Sequence, residues 1–153
     1  MENLKKFYKN KRVLITGHTG FKGTWLASCL INFEANVMGF SKTDERTNDY
    51  KKICYYKKIK NVYGDILNYN YLKKKIINFN PQIIFHLAAQ SLVSVSYSQP
   101  RETIITNTIG TSNILDISKK LKNLESLVII TSDKCYLNKE LKKGYKETDR
   151  LGG

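Results

Sequence analysis

Val13-Leu14-Ile15-Thr16-Gly17-His18-Thr19-Gly20-Phe21-Lys22-Gly23-Thr24-Trp25-Leu26 decides how the rest of the chain is read. An apolar run, Val13 to Thr16, is expected as a strand. Gly-x-x-Gly-x-x-Gly follows, and then a helix from about Gly20 to Phe33, in which Leu26, Cys29, Leu30 and Phe33 fall at helical spacing. Cys29 is accordingly expected in the core. The first glycine lets the chain reverse after the strand, and the second lets main-chain N–H groups approach a pyrophosphate without a Cβ in the way. The third lets the helix pack closely on the strand. The unpaired amides and positive dipole end of that helix would then face phosphate. A glycine-rich surface turn is the alternative for the glycines alone; the strand before and the amphipathic helix after favour a dinucleotide-binding turn.

The chain has 153 residues, 41% hydrophobic and 25% charged, the balance of a globular protein with room for one core. One domain spanning 1–153 is expected. No apolar run approaches the roughly 20 residues that cross a bilayer, and Met1 to Lys11 is charged without an apolar signal core. No membrane partner and a cytoplasmic location are therefore expected. Cys29, Cys54 and Cys135 form no C-x-x-C pair, which fits a reducing compartment. His18 and His86 are the only histidines, and no metal site is expected. The net charge of +13 raises nucleic-acid binding as a possibility. The lysines are spread over every polar segment, however, and no aromatic-interleaved basic groove accompanies them, so no nucleic-acid partner is expected. A basic surface also suits anionic small ligands.

Asn36 to Phe40 reads as the second strand. Its end carries Ser41-Lys42 where many NAD-binding folds have an acidic residue on the adenosine ribose. Ser41 can hydrogen-bond a ribose and Lys42 can accommodate a 2′-phosphate, so NAD and NADP both stay open. Lys42 to Lys58 is expected as a loop with a short helix, and Ile59 to Tyr63 as the third strand. Asp65 after it either accepts from an adenine amino group, with Ile66 against the ring, or helps to start the next helix. That helix is expected from about Asn68 to Phe79. Gln82 to Leu87 reads as a strand covered on both faces; His86 within it is expected as a satisfied core histidine, and Ala88-Ala89-Gln90 leave room for a cofactor at its end. Pro100 to Leu121 is expected as one long helix, with Gly110 packed closely against the sheet or the loop after the fourth strand. Leu127 to Ile130 is the fifth strand. It delivers Thr131-Ser132-Asp133-Lys134 to the same edge as Gly17 and Ala88, either as chemistry or as turn residues.

Thr16 to Gly23, Phe85-His86-Leu87-Ala88-Ala89-Gln90, Thr106-Asn107-x-x-Gly110-Thr111 and Thr131-Ser132-Asp133-Lys134-Cys135-Tyr136 together resemble the extended short-chain dehydrogenase/reductases. More narrowly they resemble the CDP-glucose 4,6-dehydratase family, whose marks are His-Thr-Gly-Phe-Lys-Gly and Ser-Asp-Lys-Cys-Tyr. The resemblance implies an α/β fold, a Rossmann-type doubly wound parallel sheet of five strands in the order 3-2-1-4-5, ending before the sixth strand and the substrate lobe. It implies NAD, held by Gly17, Gly20, Phe21, Lys22, Gly23, Asp65, Ile66, Leu87, Ala88, Ala89, Gln90 and Thr106, with Ser91 near the nicotinamide or sugar. Ser91 departs from the family, which usually has Pro there. It also implies conversion of CDP-glucose to a 4-keto-6-deoxy sugar and water. Ser132 would hydrogen-bond the 4-oxygen, Asp133 would be the acid for loss of the 6-hydroxyl, and Lys134 would stand where the C5 base stands.

The family's Tyr-x-x-x-Lys would follow Gly153. Tyr56 with Lys60, Tyr69 with Lys73 and Tyr71 with Lys75 have the spacing but precede the fourth strand, on the wrong side of the topology. These 153 residues alone are therefore expected to turn over no substrate. A homodimer, or pairing with a separate C-terminal half, is the partner expectation. The alternatives are a stand-alone NAD(P)-binding module, part of another nucleotide-sugar dehydratase or epimerase, and a basic nucleic-acid binder.

Overall fold

A computed structural model describes residues 1–42, 56–132, 135–140 and 142–152. Strand β1 (Arg12–Thr16) lies at the centre of a parallel sheet with β2 (Asn36–Ser41), β3 (Lys60–Tyr63), β4 (Ile83–His86) and β5 (Ser126–Ile129). The order across the sheet is β3-β2-β1-β4-β5, as expected. Thr16 pairs with Phe40 on one side and His86 on the other, and His86 pairs with Ile129. Every strand therefore ends on the same edge, and whatever follows Thr16, Ser41, Tyr63, His86 and Ile129 is gathered there.

Val13, Leu14 and Ile15 are all wholly buried, because β1 is covered on both faces. Val13 and Ile15 pack with Ala27, Leu30, Val37 and Ile83 in one layer. Leu14 points the opposite way, into the layer of Phe40, Leu72, Ile76, Ile84, Ile114 and Ile117. Helix α1 (Glu2–Tyr8) precedes β1, and helix α2 (Phe21–Asn32) follows the glycine turn. Helix α3 (Tyr69–Phe79) opens on Asn68, whose side chain accepts from the Tyr71 amide, and closes on Asn80 in the left-handed conformation. Helix α4 (Val93–Ser98) lies between β4 and the next helical run. No helix among the described residues is long and apolar enough to cross a membrane.

Some expectations are corrected. Cys29 is exposed, not part of the core. The buried face of α2 is Gly23, Thr24, Ala27, Ser28 and Leu30, so small residues face the sheet and Trp25 and Phe21 are turned outward. The start of this helix closes on the glycine turn at Gly23, and the residues it buries there are Thr24, Ala27 and Ser28, with Leu30 reaching the core further along. The N-terminal segment, read only as a charged stretch, forms α1. Its Tyr8 ring stacks on Phe33 at 6.1 Å, and Lys5 and Lys9 pair with Glu34.

The long helix from Pro100 is not uniform. It runs as α5 (Pro100–Ile104), a π-helical turn (Ile105–Ile109) and α6 (Gly110–Ser118). Gly110 packs against the loop after β3, not the one after β4: a Cβ there would lie 2.3 Å from Ile66 Cδ1. The end of the loop expected over Lys42–Lys58 is a 3-10 turn at Tyr56–Lys58; residues 43–55 of it lie outside the described residues.

Candidate functional site

The glycine turn is set by main-chain geometry. Gly17 has φ of +75°, and a Cβ on it would stand 2.8 Å from the Ala88 nitrogen and 2.9 Å from the Leu87 carbonyl carbon. Its own amide donates to the Phe40 carbonyl at 2.8 Å. The turn thus leans directly on the exit of β4, which only a residue without a side chain allows. Gly23 is tighter still, since a Cβ would come within 2.2 Å of the Gly17 carbonyl oxygen. Gly20 donates to that same oxygen at 3.1 Å and forms the N-cap of α2 with no side-chain cap. The first amides of α2, at Phe21, Lys22 and Gly23, have no helical acceptor by geometry. Phe21 is 81% exposed.

Beside this turn the exit of β4 is held from several sides. The Leu87 amide donates to the Thr16 carbonyl at 3.1 Å, and the Ala88 amide to Thr16 Oγ1 at 3.2 Å. Thr16 Oγ1 lies 2.6 Å from His86 Nδ1, and His86 Nε2 lies 3.0 Å from Thr111 Oγ1. Thr111 donates to the Asn107 carbonyl, so at His86 its oxygen accepts. Nε2 therefore carries the ring proton and Nδ1 accepts from Thr16. His86 is buried with both nitrogens bonded, and burial pushes its pKa down to about 4. Asn107 grips Gln90, whose side chain in turn binds Thr103 and the Leu92 backbone. Ala89 and Ser91 are exposed on the edge, and Thr106 is half-buried in the π-helical turn.

At the end of β2, Ser41 is buried, with its hydroxyl 2.8 Å from His18 Nδ1 and 3.4 Å from the Thr19 amide. Asp65 accepts from the Leu67 amide at 2.9 Å and pairs with Lys42 at 2.8 Å. Burial alone would raise its pKa; the Lys42 hydrogen bond and the Leu67 amide outweigh it and hold the carboxyl below its ordinary value. The cap of α3 is Asn68, so Asp65 supports the turn ahead of that helix. Ile66 is buried against Gly110.

Beyond β5, the Ile130 amide still donates to the His86 carbonyl at 3.0 Å. Ser132, two residues on and exposed, therefore leaves the sheet at the edge where Gly17 and Ala88 leave it. Asp133 and Lys134 lie outside the described residues. Two residues that build this edge, His18 and Asn107, stand in the sequence motifs but were given no site role from them. Gly39 was a signal for the first: a Cβ at Gly39 would sit 2.2 Å from the His18 ring, so β2 carries glycine where that ring is seated.

A family model described as GDP-mannose 4,6 dehydratase matches residues 14–152, from within β1 to the end of the described chain. The chain belongs to this 4,6-dehydratase family. Within reach of the same family, it is 42% identical over 150 residues to the CDP-glucose 4,6-dehydratase of Salmonella typhimurium, covering 97% of this chain and 42% of that protein. The epimerase Mth375 of Methanothermobacter thermautotrophicus superposes with a TM-score of 0.83 at 26% identity, over 96% of this chain and 43% of the other. The UDP-glucose 4-epimerase of Brucella ovis, solved in complex with NAD, shares the fold with a TM-score of 0.75 at 21% identity, over 93% of this chain and 42% of its own. The chain thus spans less than half the length of each of these family and fold relatives.

Proposed function

We propose that this chain is the NAD-binding part of a CDP-glucose 4,6-dehydratase, acting on a nucleotide sugar in the cytoplasm. The observation that carries the reading is the cradle at Gly17 and Gly23, in a chain 42% identical to such an enzyme over 97% of its length. Gly17 and Gly23 let the turn close on the exit of β4 and α2 close on the turn, where a Cβ would strike main-chain atoms, and a diphosphate would then lie beside the first amides of α2 at Phe21, Lys22 and Gly23. Leu87, Ala88, Ala89 and Gln90 form the floor on which the nicotinamide end would lie, with Thr106 behind them and Ser91 toward the sugar. Asp65 and Ile66 stand at the adenine end. The unpaired Cys29 and Cys135 suit a reducing compartment.

NAD, when bound, supplies reversible hydride acceptance from the sugar. The chain's own residues position the sugar and move protons. Ser132 would hold the 4-oxygen by a hydrogen bond. Lys134 would take the C5 proton as its electron pair forms the C5–C6 double bond, and Asp133 would protonate the departing 6-hydroxyl so that water leaves. Lys134 can accept a proton only if burial or nearby positive charge brings its pKa toward neutrality. The nucleotide sugar, and a partner copy or further chain beside this one, belong to the same proposal.

The test is thermal unfolding of the chain with NAD and, separately, with a single-stranded oligonucleotide of equal charge. A midpoint raised in a concentration-dependent way by NAD and unmoved by the oligonucleotide is expected. The reverse pattern overturns the reading.

A further inference from the structure

We propose that His18 fixes the hydroxyl of Ser41 as a hydrogen-bond acceptor, and that this makes the site select a dinucleotide with a free adenosine ribose over one bearing a 2′-phosphate. The selectivity rests on the NAD reading above and names the residues that would produce it.

The His18 ring is wholly buried beneath the glycine turn, between β2 and β3. Asn61 sits on its far side. The Asn61 amide nitrogen donates to the Ile59 carbonyl at 3.0 Å, which turns its oxygen toward His18 Nε2, also at 3.0 Å. A carboxamide oxygen only accepts, so Nε2 carries the proton. Burial keeps the ring neutral by holding its pKa down to about 4, although Asn61 and the Phe40 carbonyl pull the other way. In a neutral ring with a proton on Nε2, Nδ1 is an acceptor. The Ser41 hydroxyl, 2.8 Å away, must donate to it.

That commitment decides what Ser41 can do next. Its proton is spent on His18, and the Thr19 amide approaches its oxygen as a donor at 3.4 Å. The oxygen has only lone pairs left to offer. Ser41 is the last residue of β2, the position at which a dinucleotide fold places the group that receives the ribose hydroxyls. A ribose hydroxyl donates, and a lone pair satisfies it. A phosphate oxygen near neutral pH has little to donate and meets the lone pair unfavourably. Among the described residues, the cation that follows Ser41 in the chain is Lys42, whose ammonium is 2.8 Å from Asp65. Ser41 thus does with a neutral oxygen what an acidic residue does in other folds of this kind, and His18 is the positioning residue that keeps it in that role.

Equilibrium binding of NADH and NADPH to the 153-residue chain, followed by the fluorescence of the bound nicotinamide, tests this on wild type, His18→Gln and Ser41→Ala. Wild type is expected to bind NADH about tenfold or more tighter than NADPH, the weight of one hydrogen bond of the wrong polarity. In His18→Gln the amide can donate to Ser41, freeing its proton to point outward, and the ratio is expected to fall by about tenfold. Ser41→Ala, which removes a small hydroxyl and keeps the fold, is expected to lower the ratio several-fold, chiefly by weakening NADH. Should His18→Gln fail to fold by circular dichroism, Ser41→Ala decides alone. An unchanged ratio in the folded variants overturns the proposal while leaving the NAD reading intact. Binding of neither dinucleotide to wild type overturns the NAD reading itself, and the selectivity with it.

Discussion

Asn107 holds the Gln90 peptide at both of its polar atoms: its Oδ1 accepts the Gln90 amide at 2.8 Å, and its Nδ2 donates to the Gln90 carbonyl at 3.0 Å. Asn107 lies in the π-helical turn Ile105–Ile109, and Gln90 at the exit of β4. A side chain from the helical run thus replaces the partner strand that the backbone at Gln90 no longer has, and the widened turn is where that side chain leaves the helix.

Replacing Asn107 by Ala removes both bonds from a half-buried peptide. The cost should be about 1–3 kcal/mol, as for partly buried polar groups left without partners. On the proposed reading Ala88 to Gln90 would lie under the nicotinamide end of the cofactor, so NAD affinity should fall too. Urea unfolding and NADH titration of Asn107→Ala check both, and an affinity that holds while stability drops would separate the clamp from the site.

Gly110 and Ile66 form a pair that can be exchanged. A Cβ at Gly110 meets Ile66 Cδ1 at 2.3 Å, so Gly110→Ala should destabilise by about 1–3 kcal/mol despite the better helix propensity of alanine. Ile66→Val removes that terminal methyl, and the double variant should recover part of the loss. Thermal midpoints of the two single variants and the double variant measure the coupling.

The sheet was legible because strands covered on both faces write themselves as unbroken apolar runs: Val13 to Ile15 and Ile83 to Ile84 could be placed with no partner in view. The glycine turn was legible for the same local reason. The face of α2 was not. Counting apolar residues put Cys29 inward, whereas the helix seated by Gly23 on Gly17 turns Thr24, Ala27, Ser28 and Leu30 to the sheet and leaves Cys29 outward. Gly110 was recognised as a close contact, but assigning its partner to the loop after β3 needed the tertiary position of Ile66. His18 and Asn107 went unnoticed as site-builders because each acts by bonding to a residue distant in sequence, Asn61 and Gln90, and spacing carries no trace of that.

Acid should weaken the fold in a defined window. His18 and His86 have pKa values lowered to about 4 by burial, against an ordinary 6.5. Below about 6.5 the unfolded chain takes up protons that the native chain refuses, so stability is full above that pH and is lost as pH falls toward about 4. Each histidine contributes up to about 1.4 kcal/mol per pH unit across that window. The carboxylates Asp65 and Glu34, held below their ordinary values, add losses only at lower pH. The urea midpoint should therefore decrease markedly between pH 7 and pH 5, and a flat midpoint over that range contradicts the burial of two neutral imidazoles.

The central claim, that a dinucleotide's diphosphate rests on the main chain between Gly17 and Gly23, is tested most directly by following backbone amide resonances of the chain during titration with NAD. The account predicts saturable shifts that are largest at Phe21, Lys22 and Gly23, with a second group at Ala88 to Gln90, and their disappearance in Gly23→Ala, whose Cβ would collide with the Gly17 carbonyl. Shifts confined to the lysine-rich surface of α3, or saturable binding that leaves the glycine turn untouched, would contradict it.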